Sequence, residues 1–144
     1  MIDTAIVKVC RLDPRARLPS CAFDGDLCAD LYSLSPHSIE PMSIVCVPTG
    51  IAIELEPGFG AMVEDRSGLA LRGVVTLGGV IDSGYRGEIR VIVANFGKEL
   101  FAITPGDRIA QIRVVRRYAL EFREVESLAE SSRGSAGYGS TGMK

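Results

Sequence analysis

Asp82 is a carboxylate, a residue type that can take part in acid–base chemistry. It follows two β-branched residues and precedes a Ser-Gly pair, a pattern typical of a turn beside a strand. Aspartate is ionised at neutral pH, so this carboxylate can take a proton from water. We interpret residues 79–89 as a hairpin that runs into a long strand, with Tyr85 near the turn. The alternative is a turn aspartate that bonds its own backbone, beside an ordinary core or edge ring.

Two further segments offer groups that bind anions. Arg66, Ser67 and Gly68 can present a guanidinium, a hydroxyl and backbone N–H groups to a phosphate, and residues 67–72 are expected to form one helical turn. Gln111 follows the turn expected at residues 105–107, and its amide can donate to a phosphate oxygen. The alternatives are a capped turn with a solvated arginine and a glutamine that faces solvent.

Asp30 is an acid within a short apolar strand pattern. One carboxylate acting through water molecules is a normal way for a protein to hold magnesium against a polyphosphate. The alternative is an exposed strand acid with no ligand.

The C-terminal tail, residues 131–144, is rich in glycine and serine, so its composition alone predicts disorder. Glycines allow close wrapping of phosphates, and hydroxyl groups add donors. No lysine precedes the Ser-Thr pair, so the tail is not a Walker A loop. An aromatic ring among glycines suits a lid that stacks on a base. The candidate residues are Arg133, Tyr138, Gly139, Ser140 and Thr141.

Strands must position these groups. Apolar residues alternate with other side chains at residues 51–56, 89–94 and 111–115, which predicts half-buried strands. Glycine and proline, including Pro48, divide the chain into short segments of the kind found in all-β sandwiches and barrels. Residues 120–129 are interpreted as a strand followed by a loop. We therefore expect one β domain over residues 1–130 and a flexible lid over residues 131–144.

Composition excludes several classes of function. The chain has 144 residues and a formal charge of −2, without a basic patch, so we expect no nucleic-acid binding. We find no signal-peptide pattern and no apolar run long enough to span a bilayer, so we expect a cytoplasmic protein without membrane contact. The four cysteines form no CxxC pair and the chain has one histidine, so reduced structural thiols are favoured over zinc.

In this order, the five segments resemble the five motifs of the trimeric deoxyuridine triphosphatase family, over roughly residues 28–142. The resemblance implies an all-β, jelly-roll-like distorted β-barrel that assembles as a homotrimer with exchanged C-terminal tails. It also implies that each active site is shared: two chains build the pocket and the third lends its tail.

The resemblance implies hydrolysis of dUTP to dUMP and pyrophosphate, which limits uracil in DNA and supplies dUMP for thymidylate synthesis. Asp82 would orient the attacking water, and Asp30 would hold Mg²⁺ through water. The backbone of residues 79–81 would read uracil, Tyr85 would exclude a 2′-hydroxyl, and Tyr138 would stack on the base. The residues implied to bind substrate are Arg66, Ser67, Gly68, Gly79, Val80, Ile81, Tyr85, Gln111, Arg133, Tyr138, Gly139, Ser140 and Thr141.

Five positions depart from the family pattern. Cys28 and Ala136 stand where glycine is expected, and Tyr138 replaces a phenylalanine. Asp65 stands where proline is common and adds negative charge near the phosphates, unless Arg66 or Arg72 pairs with it. Thr76 stands where many relatives carry an asparagine near the uracil. The rival interpretations are an enzyme related to dCTP deaminase and a non-catalytic, nucleotide-binding regulatory trimer.

Overall fold

The structure is a computed structural model that describes residues 4–138 and 140–142. Within these residues the chain forms two four-stranded sheets and one two-stranded sheet, and every strand pair is antiparallel. The one helix in this part of the chain, α1 (Ser67–Ala70), confirms the helical turn expected there. The strands are β1 (Val7–Arg11), β2 (Ala29–Tyr32), β3 (His37–Ile39), β4 (Ser43–Leu55), β5 (Phe59–Glu64), β6 (Val74–Leu77), β7 (Val80–Ile81), β8 (Glu88–Asn95), β9 (Phe101–Ile103) and β10 (Arg108–Arg116).

The first sheet has the order β1-β4-β8-β6, the second β2-β10-β5-β7, and β3 pairs with β9. The all-β prediction is therefore confirmed. Among the described residues, no helix is both long and apolar enough to cross a membrane.

Alternation along the strands builds the core, as the sequence predicts. On β8, Ile89, Val91 and Val93 are almost fully buried while Arg90 is exposed. Apolar residues of β4 and of the second sheet complete the same cluster. Truncating such a side chain to alanine costs about 2–5 kcal/mol, because the lost contacts leave a cavity. The core therefore fixes the sheets that carry the polar groups described below.

Three local predictions are wrong. Pro48 does not end a strand, because β4 continues through it and its register against β8 shifts between Pro48 and Ala52. Proline lacks an N–H and is tolerated where a ladder is interrupted. Residues 79–89 are not a hairpin: β7 pairs with β5 and β8 pairs with β4 and β6, so the segment crosses from one sheet to the other.

The third error concerns residues 120–129, where we expected a strand before a loop. The chain is exposed and irregular throughout this stretch. Leu120 and Phe122 are 78% and 91% exposed. Strand propensity has no effect unless the segment pairs with another strand, and residues 120–129 pair with none of the described strands.

Candidate active site

Asp30 organises one end of the second sheet. Its side chain is buried on β2, with only 8% of the residue exposed. One carboxylate oxygen lies 3.0 Å from Nε of Arg66, and the other lies 3.4 Å from Nε of Arg108. Arg66 also donates through Nη1 to the carbonyl oxygen of Arg108, at 3.4 Å. Charge-assisted bonds of this kind fix two guanidinium groups side by side.

Sheet register places three polar side chains in one row beside these arginines. Gln111 on β10 lies opposite Asp30 on β2 and opposite Glu64 on β5. Glu64 is in turn ion-paired with Arg113. Residues far apart in sequence therefore meet because three neighbouring strands present them at the same level.

This row borders a cavity of about 540 Å³, which we call the Asp30 cavity. Four of the residues singled out from sequence contribute to its wall, so the structure brings them together. The space is within the range of small-molecule sites. Gly68 adjoins this region in α1, and nothing approaches within 4 Å of the place where a side chain would start, so its backbone is open to a ligand. The predicted lining residues are Asp30, Arg66, Ser67 and Gln111.

Gln111 is held in one orientation. Its amide Nε2 donates to the carbonyl oxygen of Asp65 at 2.6 Å. A carboxamide nitrogen carries two hydrogens, so one N–H stays available for another acceptor.

Two departures from the family pattern contact each other. The Asp65 carboxylate accepts hydrogen bonds from the backbone N–H and from the hydroxyl of Thr76. It therefore pairs with neither of the arginines that we considered: Arg66 pairs with Asp30, and the Arg72 guanidinium lies 5.1 Å from the centre of the Phe101 ring.

A third departure, Cys28, lies on the wall of the Asp30 cavity. Burial raises the pKa of its thiol, and the negative charge of Glu64 raises it further. The thiol is therefore kept neutral rather than being activated as a nucleophile.

The segment that carries Asp82 lies elsewhere in the chain. Asp82 is exposed and begins a turn in which Tyr85 N donates to its carbonyl oxygen at 3.0 Å. With Val80, Ile81 and Tyr85 it lines a separate hollow of about 280 Å³. This hollow shares no lining residue with the Asp30 cavity. Within one chain, the structure therefore does not bring Asp82 to Arg66, Ser67 or Gln111.

Two glycines shape the Asp82 segment by close approach. A Cβ on Gly79 would lie 2.1 Å from the carbonyl oxygen of Val63, which excludes any side chain there. The Gly79 carbonyl accepts from Val63 N at 2.7 Å and so extends the pairing of β7 with β5. A Cβ on Gly87 would lie 2.4 Å from the Tyr85 hydroxyl oxygen. The Tyr85 ring thus lies against Gly87, and its hydroxyl donates to Glu88 O at 2.9 Å.

None of the described tail residues lines either hollow. Tyr138 is fully exposed, with φ of +50°, and Ser140 and Thr141 are exposed. Arg133 donates through Nε to the carbonyl oxygen of Ala136 at 2.9 Å. Gly139, to which we also assigned substrate binding, lies outside the described residues.

Sequence reasoning missed Arg108 and Glu64. Arg108 follows the turn that precedes Gln111, but nothing in its local pattern indicates that it would pair with Asp30. The signal is the sheet register, which a single sequence does not reveal. Glu64 was hidden in the same way, because its position in the polar row depends on its alignment with Gln111.

Magnesium would have to be held with few protein ligands. Among residues 4–138 and 140–142, no three His, Cys, Asp or Glu side chains converge as a metal cage. Magnesium commonly keeps several waters and binds one or two carboxylates together with substrate phosphates. Asp30, a carboxylate on the wall of a cavity that arginines make suitable for phosphate, fits that mode of binding.

Comparison with known proteins gives a consistent result. A family model described as dUTPase matches residues 15–142. The deoxyuridine 5'-triphosphate nucleotidohydrolase of Solibacter usitatus (strain Ellin6076) is 43% identical over 147 residues, covering 99% of each chain. The enzyme of the same name from Helicobacter pylori (strain ATCC 700392 / 26695) is 43% identical over 140 residues, covering 95% of this chain and 97% of that one.

Among solved structures, the dUTPase of Staphylococcus bacteriophage 80alpha with dUPNHPP superposes with a TM-score of 0.88 at 25% identity. The match covers 96% of this chain and 99% of the phage chain. The predicted jelly-roll-like fold is therefore confirmed. By the family model and by identity over almost its full length, the chain belongs to the dUTPase family.

Proposed function

We propose that this chain hydrolyses dUTP to dUMP and pyrophosphate as a cytoplasmic homotrimer, which limits uracil in DNA and supplies dUMP for thymidylate synthesis. The observation that carries the proposal is the Asp30 cavity, where two arginines fixed by one buried carboxylate lie beside a serine and a glutamine. Such a set of donors suits a polyphosphate. Membership of the dUTPase family indicates that the nucleotide is dUTP.

A second copy of the chain would complete the site. Asp82 lies outside the Asp30 cavity and is exposed on its own segment. An exposed carboxylate can be carried into the cavity of a neighbouring chain, and a closed ring of three copies repeats that contact three times. Residues 131–144 would act as a lid on the site formed by the other two copies, with residues 1–130 as the β domain.

The chemical step would be an in-line attack by water on the α-phosphorus. Asp82 would orient that water and accept its proton, the bond from the α-phosphorus to the bridging oxygen would break, and pyrophosphate would leave. Ser67 and the free N–H of Gln111 would bond oxygens of the α-phosphate, while Arg66 would hold the phosphates in place. Positioning and charge stabilisation, with no covalent intermediate, would supply the rate enhancement.

We propose Asp30 as the residue that holds magnesium through water molecules. When bound, the ion would neutralise charge that develops on the phosphate oxygens. Asp30 would meanwhile keep Arg66 and Arg108 in place, as their distances of 3.0 and 3.4 Å support.

Base selection would come from β7. This strand ends the second sheet, so the backbone of Val80 and Ile81 has one edge without a neighbouring strand in the described chain. A free strand edge offers both donors and acceptors to the uracil edge, and a base with the wrong pattern would leave buried groups unpaired. Gly79 would allow close approach, and Tyr85 would pack under the deoxyribose and leave no room for a 2′-hydroxyl.

The tail would close over the bound nucleotide. Tyr138 would stack on the uracil, and Arg133, Ser140 and Thr141 would contact the γ-phosphate, with Gly139 allowing the backbone to come near. The full exposure of the Tyr138 ring supports this role, because the ring has no packing of its own in the described chain. Closure would exclude water other than the nucleophile.

The test is pyrophosphate release from dUTP, dCTP, dTTP and UTP, measured side by side with and without magnesium. We expect release from dUTP alone, and only with magnesium. Ammonia release from dCTP would instead identify a deaminase. Tight dUTP binding without any product would overturn catalysis and favour a regulatory binding protein.

A further inference from the structure

Asp65 forms hydrogen bonds in two directions at the edge of the Asp30 cavity. It lies between β5 and α1, next to Arg66. Its carboxylate accepts from the backbone N–H and, at 2.9 Å, from the hydroxyl of Thr76 on β6. Its carbonyl oxygen accepts from Gln111 on β10 at 2.6 Å. We call this set of bonds the Asp65 clasp.

The clasp joins the two large sheets. β6 is the last strand of the first sheet, and β5 belongs to the second. The backbone N–H of Thr76 donates to Asp65, so it is turned away from β8. A carboxylate therefore satisfies an edge N–H that would otherwise be left to water, and it does so with charge-assisted bonds.

The carbonyl oxygen of Asp65 determines which end of the Gln111 side-chain amide faces the protein. A carbonyl oxygen can only accept, so it selects the amide nitrogen and not the amide oxygen. Gln111 then keeps its second N–H and its Oε1 for other partners. The same backbone segment continues directly into Arg66 and Ser67, so any shift of Asp65 would move all three groups.

We propose that Asp65 is a positioning residue for phosphate binding. Its carboxylate is hydrogen-bonded to Thr76, which fixes the main chain at Asp65. The fixed main chain orients Gln111 through the Asp65 carbonyl oxygen and sets the position of Arg66 and Ser67, which follow directly. This inference rests on the proposed function. Asp65 itself needs no contact with the nucleotide.

A purely structural role makes a different prediction. If the clasp only stabilised the edge of β6, its loss would lower the melting temperature and leave the kinetics of the folded enzyme unchanged. If it positions the phosphate groups, KM for dUTP will rise at temperatures where the variant is fully folded. Loss of groups that bind ground state and transition state alike raises KM and spares kcat.

The experiment measures kcat and KM for dUTP, and the melting temperature, on the full-length protein. The variants are Asp65→Ala, Thr76→Val, Thr76→Ser and the double variant Asp65→Ala/Thr76→Val. Asp13→Ala is the matched control. Asp13 also accepts from a backbone N–H and a side chain, both of Arg15, but it lines neither hollow of the site.

We expect Asp65→Ala to raise KM about tenfold with kcat within about twofold of wild type. Thr76→Val keeps the backbone donor and should raise KM less, whereas Thr76→Ser should behave as wild type. The double variant should be no worse than Asp65→Ala, because both changes remove the same interaction. The Asp13 control should leave KM unchanged.

An unchanged KM in folded Asp65→Ala would overturn the inference. It would also be overturned if the KM increase of the double variant equalled the product of the increases in the two single variants. If Asp65→Ala does not fold, Asp65→Asn replaces it. Asparagine keeps an acceptor oxygen but loses the charge, so it must give an intermediate KM, and a wild-type KM would be contrary evidence. A wild-type protein that does not hydrolyse dUTP would instead refute the proposed function.

Discussion

The Asp30 cavity and the Asp82 segment differ in how they hold their functional groups. In the cavity, Asp30 is buried, and it and Gln111 are held by bonds to strands or loops of the same chain. Asp82 and Tyr85, by contrast, are exposed. The first region is organised within one chain, whereas we propose that the second acts at the site of a neighbouring copy. We infer that the chain keeps phosphate binding within itself and supplies the proton acceptor to a neighbour.

The largest effect is expected from the exposed region. Asp82→Asn should bind dUTP almost normally yet lose about 10²–10⁴-fold in kcat, because the amide cannot accept the proton of the attacking water. Calorimetric titration would report binding, and pyrophosphate release would report turnover. Asp13→Asn, which removes a surface charge away from both hollows, is the control. Near-normal kcat in Asp82→Asn would remove this residue from the role of base.

Removing the tail should have the next largest effect. A chain ending at residue 130 should fold and assemble, because none of the described tail residues belongs to the buried core. Its hydrolysis should fall by roughly 10²-fold, the scale of a lost positioning contact. Tyr138→Phe should retain activity and Tyr138→Ala should lose part of it, since the ring and not the hydroxyl is needed. A truncated chain that turns over at the full rate would show that the tail is only a linker.

A pair of glycines tests whether the ring orientation of Tyr85 matters. Gly87→Ala places a methyl group about 2.4 Å from the Tyr85 hydroxyl oxygen, so the ring must move. Gly84→Ala, three residues away, has nothing within 4 Å and serves as the control. We expect Gly87→Ala to weaken discrimination between dUTP and UTP by about tenfold and Gly84→Ala to leave it intact. Equal selectivity in the two variants would separate Tyr85 from sugar recognition.

The smallest effect concerns Cys28, in the organised region. Burial first, and then Glu64, raises the pKa of this thiol above its ordinary value. Folding therefore favours the neutral thiol. The resulting stabilisation is present at neutral pH and is lost as the pH rises through the folded-state pKa of Cys28. Denaturant unfolding between pH 7 and pH 10 should show a steeper alkaline loss for wild type than for Cys28→Ser. Identical curves would show that the shift has no consequence for stability.

Sequence predicted those parts of the molecule that depend on local pattern. Alternation located β8, the C-terminal part of β4 and the middle of β10, and Ser67 marked the start of α1. The segments around Asp30, Arg66, Asp82 and Gln111 were found because their residue types, taken in order, match one family.

The sequence did not predict the features that depend on which strands pair with each other. β7 pairs with β5 rather than with β8, although β8 follows it along the chain. Arg108 and Glu64 join the site through register, and Asp65 bonds Thr76 across two sheets. These are long-range pairings, and no window of neighbouring residues contains the information that sets them.

Mixing two inactive variants tests most directly whether one chain supplies the phosphate site and another the base. Arg66→Ala and Asp82→Asn, carrying different affinity tags, are co-expressed, and the mixed assemblies are purified and assayed for pyrophosphate release from dUTP. If each site takes Arg66 from one chain and Asp82 from its neighbour, every mixed trimer has both groups intact at one of its three sites, and activity returns to about a third of the wild-type value. If the mixed assemblies are no more active than either variant alone, Arg66 and Asp82 act within a single chain and the shared site is refuted.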